Sequence, residues 1–374
     1  MNQAVVFAIV QTGARANGGL QSITEVMRRL RTHRPVILTN LDSELSKHWR
    51  SLGMDVHIAA EEASTGFRRD PLGVIRTYRR YHRTVAALLA ASGARVVHAN
   101  DPLAFQLCLT GAKRAGAHIA LNVRDTLDPG RRPPRHKYRT LFAAADHVFY
   151  LSNDMAERWR QVAPNATRSF SVTYSIVDSQ RFARTPVPTD GRPVVLVPGV
   201  FWPKKGQLEF IRNVVPALAE RGVETWFAGD FEPRTNPYAA GCAIAAEPFS
   251  DCVKFLGFRS DVPKLLQQSW VVAVPSLHEG LMRGMIEAMS CGRPVVSFDV
   301  SSAREVLEDK SSGAGVVVQG GDHAGLAAAL LSYVDDEAAR VAAGEAASAA
   351  ARVLFDAEQV TERYERIYRE LSKA

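Results

Sequence analysis

Residues 278–298 read HEGLMRGMIEAMSCGRPVVSF and set Glu279 and Glu287 eight positions apart. Upstream, WVVAVPS (Trp270 to Ser276) is a short apolar run closed by Pro and Ser, the pattern of a buried parallel strand. Downstream, Gly284 to Cys291 reads as a short helix, Gly292 suits its C-terminal cap, and Pro294 forbids continuation. PVVSF (Pro294 to Phe298) is then the next strand. Glu279 therefore sits in a loop and Glu287 in the early turns of the helix. Backbone N–H groups between Gly280 and Gly284 point, with the helix dipole, at the carboxyl end of the strand. A phosphate there, flanked by two acceptors for hydroxyl groups, describes a nucleotide sugar. The competing reading, two solvated charges on a loop and a helix, stays open on this pattern alone.

At 374 residues the chain exceeds the size at which one core keeps growing, so two domains are expected. The N-terminal run AVVFAIV (Ala4 to Val10) is too short for a membrane helix and lacks the flanks of a signal peptide. It reads as a first buried strand, and a cytosolic protein is expected. Cys108, Cys242, Cys252 and Cys291 have no metal-ligand spacing and read as reduced, buried thiols. Neither a His cluster nor an Asp-x-Asp pair is present, so no metal and no other cofactor is expected.

Charge is uneven. Residues 1–190 hold 27 Lys and Arg against 15 Asp and Glu, a net of +12; the remainder holds 19 against 24, a net of −5. A basic first half points to an anionic partner: nucleic acid, an acidic lipid surface or a phosphorylated substrate. In FRRDPLGVIRTYRRYHR (Phe67 to Arg83), Arg alternates with Tyr78, Tyr81, Val74 and Ile75 at helical spacing. That composition suits an interfacial helix on anionic lipid, or an ordinary solvated helix face. PGRRPPRHKYR (Pro129 to Arg139) reads as a loop.

The first half alternates strands and helices. Strands are expected at Ala4–Val10, Pro35–Thr39, Val56–Ala59, Arg95–Ala99, His118–Val123 and, closing the series, His147–Ser152; Gly18 and Gly19 open the first helix. Such repetition makes a doubly wound parallel sheet. TPVPTDGRP (Thr185 to Pro193) breaks it as an interdomain linker. A second series follows in VVLVPG, TWFAGD, CVKFLG, the Glu279–Glu287 unit and GVVVQG. The last helix, from Ala357, aligns Val360, Tyr364, Ile367 and Leu371 on one face. Two such α/β domains, 1–188 and 189–374, place a ligand cleft between them.

EGLMRGMIEAMSCGRPVV resembles the E-x7-E signature of retaining glycosyltransferases of family four, which have the GT-B fold of two Rossmann-like domains facing a central cleft. FWPKKGQ, VKFLGFRSDVPKLL and AREVLEDKSSGAGVVV extend the resemblance in the second half, and GGLQ, VVHANDPLA and SIVDSQRF in the first. It implies an acceptor-binding first domain, a donor-binding second domain, and a C-terminal stretch 356–374 that packs back on the first. It also implies metal-independent transfer from a nucleotide-diphosphate sugar with retention. By the match, Glu287 accepts from the donor ribose diol and Glu279 faces the donor sugar. Lys205 of the K-G motif offers a charge to the leaving diphosphate, and the backbone of Gly280, Leu281, Met282, Arg283 and Gly284 offers donors. Phe258 borders the base, and Gly18 and Gly19 let backbone approach the phosphates or acceptor.

Three positions depart from the family pattern. Val200 and Gly199 stand where the family commonly has an Arg before the K-G lysine; Lys204 and Arg283 are the candidate replacements. NVRD puts Arg124 and Asp125 where a His is usual, and Arg124 suits phosphate or acceptor contact but not general-base work at neutral pH. Met282 and Gly284 replace the usual Gly and Pro. The expected activity builds a bacterial surface polysaccharide, lipopolysaccharide or lipid-linked glycan. The expected place is the inner face of the plasma membrane, with nucleic acid disfavoured as a partner. Two alternatives are another GT-B enzyme, such as a phosphorylase or nucleotide-sugar epimerase, and a non-catalytic basic binding protein on the same scaffold.

Overall fold

The computed structural model describes residues 2–11, 18–59, 70–124, 135–163, 169–310 and 313–373. Two compact units result: residues 1–176 with 357–374, and residues 177–356.

In the first unit the apolar runs are buried parallel strands, as continuous Val, Ile and Leu require when both sheet faces are covered. They are β1 (Gln3–Ile9), β2 (His33–Thr39), β3 (Asp55–Ile58), β4 (Val96–Ala99), β5 (His118–Val123), β6 (His147–Tyr150) and β7 (Phe170–Val172). The sheet order is β3-β2-β1-β4-β5-β6-β7, every pair parallel. β6 does not close the series: β7 adds an edge strand, which its exposed Phe170 and half-buried Ser171 and Val172 had hidden from an apolar-run reading. Pro129 to Pro134, placed in a loop above, lie outside the described residues, as do Phe67 to Arg69 and Asp125. From Arg135 the chain is helical to Ala143, a correction to the loop expected through Arg139.

The C-terminal helix Ala357–Lys373 belongs to this first unit. Val360, Tyr364, Ile367 and Tyr368 enter the core with Phe7, Phe149 and Ile176. Glu365 Oε1 accepts from the backbone N–H of Arg31 at 2.8 Å and Thr32 at 2.7 Å. His98, fully buried, shares a hydrogen bond between its Nδ1 and the Tyr368 hydroxyl (2.9 Å) and lies among Phe7, Phe149 and Tyr364. Burial pushes it down to about 3, so it is a neutral core residue.

The second unit has β8 (Val194–Pro198), β9 (Glu224–Ala228), β10 (Val253–Phe255), β11 (Val271–Val274), β12 (Val295–Phe298) and β13 (Gly315–Val318). Their order, β10-β9-β8-β11-β12-β13, is again all parallel. The unit begins at Val177 and not at the linker boundary of 188, because residues 177–187 are fastened to it by hydrogen bonds. Val177 N–H donates to Phe355 O at 3.3 Å, and Ser290 Oγ donates to Phe182 O at 2.9 Å. Arg293 binds both the carbonyl and the hydroxyl of Thr185, at 3.0 and 2.6 Å.

Candidate functional site

In an open parallel sheet, ligands bind beyond the carboxyl ends of the strands where the strand order reverses. In the second unit that point lies between β8 and β11, neighbours with opposite directions of winding beside them. Lys205 follows β8 and Glu279 follows β11, so topology alone brings together residues 74 positions apart. Their side chains meet with Lys205 Nζ 2.5 Å from Glu279 Oε1, and both are largely buried.

Local structure explains how each is held. After β8, Gly199 takes a φ of 144° and its N–H donates to Ala228 O at 2.8 Å. The chain then makes a single 3-10 turn, Pro203–Lys205, ended by Gly206 at φ 72°. A Cβ on Gly206 would lie 2.1 Å from Pro275 O, so the K-G pair reflects a left-handed turn pressed against the end of the neighbouring strand connection. Leu277 N–H donates to Lys204 O at 2.8 Å, joining this turn to the Glu279 loop. Lys204 thus contributes its carbonyl to the scaffold.

The helix carrying Glu287 runs Arg283–Ser290 and stops at Gly292, whose φ is 74°. Its start, at Met282, has no side-chain cap, which leaves the first-turn N–H groups to the site. Gly284 is packed on the end of β8: a Cβ there would meet Pro198 Cγ at 2.7 Å. Arg283 and Glu287 are paired one turn apart, Nε to Oε1 2.7 Å. The approach is off the N–H line, and Arg283 Nε and Nη1 are buried without a hydrogen-bond acceptor. Burial pushes the Glu287 carboxyl above the usual range, against the opposing pull of Arg283 and Arg181.

Lys205, Glu279, Gly280 to Gly284, Glu287 and Lys204 therefore share one end of one sheet. Phe258 follows β10 and is 62% exposed, an apolar surface at the same end of the sheet. Trp202, 60% exposed in the turn after β8, is a second one that sequence reasoning missed. The other missed residues are supports. Ser302, left-handed at φ 73°, donates from Oγ to Gly280 O at 2.8 Å, and Gln207 Nε2 donates to Val200 O at 2.9 Å. A serine in that conformation carries no sequence signal, whereas Gln207 directly follows the K-G pair.

Gly18, Gly19 and Arg124 belong to the first unit. Gly18 and Gly19 are the first residues of the helix Gly18–Arg29. Arg124 immediately follows β5, and its Nη2 donates to Ser175 Oγ at 3.3 Å. A groove of about 790 Å³ in this unit, lined by Arg28, Arg31, Glu358 and Glu362 among others, holds none of these residues. Among the described residues, no His, Cys, Asp and Glu group is placed to hold a metal ion.

Comparison with known proteins follows the same division. A family model described as "Glycosyltransferase Family 4" matches residues 43–181, and one described as "Glycosyl transferases group 1" matches residues 192–336. The lipopolysaccharide core biosynthesis glycosyltransferase LpsE of Rhizobium meliloti is 29% identical over 63% of this chain; the alignment spans 66% of LpsE, just under two thirds of its length. The phosphatidyl-myo-inositol mannosyltransferase of Mycolicibacterium smegmatis is 27% identical over 78% of this chain and 75% of its own. Among solved structures, Anabaena HepE in complex with UDP superposes with a TM-score of 0.81 and 21% identity, covering 100% of both chains.

Proposed function

Since the chain belongs to the family-four glycosyltransferases of GT-B fold, we propose that it moves a sugar from a nucleotide-diphosphate donor to a growing bacterial surface glycan, lipopolysaccharide or lipid-linked acceptor. The observation that carries this reading is the gathering of Lys205, Glu279, Arg283 and Glu287 at the reversal point of the second sheet. LpsE and the mannosyltransferase, by their names, act on lipopolysaccharide core and on a lipid, which supports the acceptor class.

In this reading Glu287 accepts from the ribose diol, Glu279 faces the donor sugar, and Phe258 lies along the base. Lys205 and the open first turn at Met282–Gly284 stabilise charge on the departing diphosphate. Transfer proceeds with retention and without a metal. The acceptor oxygen bonds to the anomeric carbon on the face from which the diphosphate leaves, and the diphosphate oxygen takes the acceptor proton. Gly18, Gly19 and Arg124 are assigned to the acceptor or its phosphate.

The same reading places the first unit on an anionic membrane surface. Helix Pro71–Ser92 exposes Arg76, Arg79, Arg80 and Arg83 beside Leu72 and Ile75, which are 68% and 41% exposed, all on one face. No described helix is long and apolar enough to cross a membrane. Flotation with phosphatidylglycerol vesicles should carry the wild type, and a variant with all four arginines changed to Gln should remain at the bottom.

The decisive experiment is a thermal-shift screen against nucleotide sugars and nucleoside diphosphates. A ligand at 100 times its Kd stabilises the folded state by about 2.7 kcal/mol, a readily measured shift. The correct donor should raise the melting temperature of wild type and fail with Glu287→Ala. Equally negligible binding of every nucleoside diphosphate by both proteins would end the transferase reading.

A further inference from the structure

The groove of about 790 Å³ in the first unit lies apart from every residue assigned above to a substrate. The helix Gly18–Arg29 starts beyond the carboxyl end of β1 and delivers the chain to the amino end of β2 at His33. Arg28 and Arg31 therefore stand at the opposite end of the first sheet from Gly18, Gly19 and Arg124. The C-terminal helix supplies the facing wall with Glu358, Thr361, Glu362 and Arg363. All of these residues belong to one compact unit.

The charges of the groove are unequally committed. Glu365 Oε1 is taken by the backbone N–H groups of Arg31, Thr32 and His33, at 2.8, 2.7 and 3.3 Å. Glu25 holds Arg28 at 2.9 Å and Arg29 as well, and Glu362 holds Arg369 at 2.5 Å. Arg31 and Glu358 meet at 2.6 Å, but both side chains are 74% exposed. A pair so hydrated contributes little and yields readily to another partner. Arg363 is half-buried and, among the described residues, makes no hydrogen bond or ion pair. Its planar fork fits the oxygens of an anion, and here it has met none.

Thr361, on the same wall, is 4% exposed, and its Oγ1 has no hydrogen-bond partner. A helical threonine can bond back to the carbonyl one turn earlier, as Thr24 does to Leu20 O at 2.8 Å. Thr361 does not, so a buried hydroxyl is left unmet, which costs stability until a ligand supplies the partner. Glu358, Gln359 and Glu362 add acceptors and amide donors. Among the described residues no aromatic ring lines the groove, so nothing there stacks on a nucleobase. Hydroxyl-binding groups beside an unmet guanidinium describe a ligand that is both polyhydroxylated and anionic. The volume suits a drug-sized molecule, roughly two or three sugar rings.

We propose that this groove binds an acidic oligosaccharide, a stretch of glycan already built, at a second place on the protein. Arg363 binds an anionic group of the sugar, and Arg31 leaves Glu358 to bind another. Thr361, Glu358 and Glu362 take the ring hydroxyls. The groove holds the glycan without acting on it, since the residues assigned to transfer lie elsewhere. The choice of a glycan among polyhydroxylated anions rests on the transferase reading above; the binding itself needs no donor.

Calorimetry on the full chain, with no nucleotide present, tests the groove. The probes are trigalacturonate, maltotriose as a neutral chain of the same length, and citrate as an anion without sugar rings. Wild type should bind trigalacturonate at least about tenfold more tightly than either of the others. Arg363→Gln should weaken trigalacturonate roughly tenfold through lost charge-assisted bonds, and Arg31→Gln about threefold. Thr361→Val should weaken it about threefold and leave the melting temperature of the unliganded protein unchanged or raised, because its hydroxyl has no partner to lose. Arg124→Gln, at the other end of the sheet, should bind trigalacturonate as wild type does. No binding of trigalacturonate at about 10 mM, equal affinity for maltotriose or citrate, full affinity in both groove arginine variants, or a loss confined to Arg124→Gln each overturn the groove. A lower melting temperature in unliganded Thr361→Val overturns the part given to that hydroxyl. A protein that binds trigalacturonate but no nucleoside diphosphate keeps the groove and loses the transferase reading; the reverse result removes the groove alone.

Discussion

Arg293 is fully buried, and among the described residues its hydrogen-bond partners are carbonyls and one hydroxyl. Its guanidinium instead reaches Leu266 O at 2.6 Å, Thr185 Oγ1 at 2.6 Å, Thr185 O and Pro186 O at 3.0 Å, and Gln267 O and Gly292 O at 3.2 Å. Leu266 and Gln267 end the helix Val262–Gln268, and Gly292 follows the helix that carries Glu287, so one cation serves two helix C-termini and the segment entering the second unit. Burial pushes the group down to about 10, which leaves it protonated at neutral pH. Arg293→Met keeps the apolar stem and removes every N–H. Leaving a buried acceptor without its donor costs about 1–3 kcal/mol, and two such carbonyls put the loss at about 3–5 kcal/mol. Leu266 O keeps a partner in the Ser269 hydroxyl at 2.8 Å, and Met avoids the desolvation of a charge, so the lower end, about 3 kcal/mol, is expected. Arg293→Lys, with three donors and no fork, should recover less than roughly half of it. Urea denaturation gives the free energies, and amide exchange in residues 177–187 should rise in the Met variant if that segment has come loose. A loss under about 1 kcal/mol, or a Lys variant as stable as wild type, would refute the claim that the fork and not the stem does the fastening.

Gly206→Ala should cost more than Gly222→Ala, because both glycines are left-handed, at φ 72° and 70°, but only the first has a carbonyl 2.1 Å from the new Cβ. The strain common to both is about 1–2 kcal/mol; any excess in the first, with loss of nucleoside-diphosphate affinity through the displaced Lys205, measures the close approach, and equal melting temperatures would contradict it. Mild acid should loosen the first unit. Burial lowers His98 to about 3 and His147 to about 4, and it lowers His33 as well, so these groups bind protons more readily unfolded than folded. Their stabilisation is complete above the unfolded value near 6.5 and is lost as pH falls toward the folded values. At pH 5 His98 and His147 together account for about 4 kcal/mol of lost stability. Glu365 adds to this at lower pH, since the N–H groups of Thr32 and Arg31 outweigh its burial and hold it down; Asp101, raised by burial, works the other way. Exchange in residues 118–123 should accelerate between pH 7 and pH 5, and an unchanged rate of opening would count against the assignment.

Both sheets were legible from their strands, because a parallel strand covered on two faces must be apolar throughout, and TWFAGD or WVVAVPS can be read without a partner in view. The helix between Gly284 and Cys291 was legible for a similar local reason: Gly292 and Pro294 end it whatever surrounds it. β7 escaped because an edge strand with an exposed Phe170 has no apolar run to show. The 177–188 segment was misassigned because its bonds go to residues 290, 293 and 355, far along the chain.

Composition, periodicity and the eight-residue spacing of Glu279 and Glu287 were thus properties of the chain itself, since each rests on interactions within a turn or two of backbone. The pairing of Lys205 with Glu279, the unmet donors of Arg283, the carbonyl cage of Arg293 and the docking of Glu365 against residues 31 and 32 belong to the tertiary structure. They depend on where the strand order reverses and on which polar groups burial leaves unsatisfied. Those quantities arise only when segments distant in sequence exclude water together.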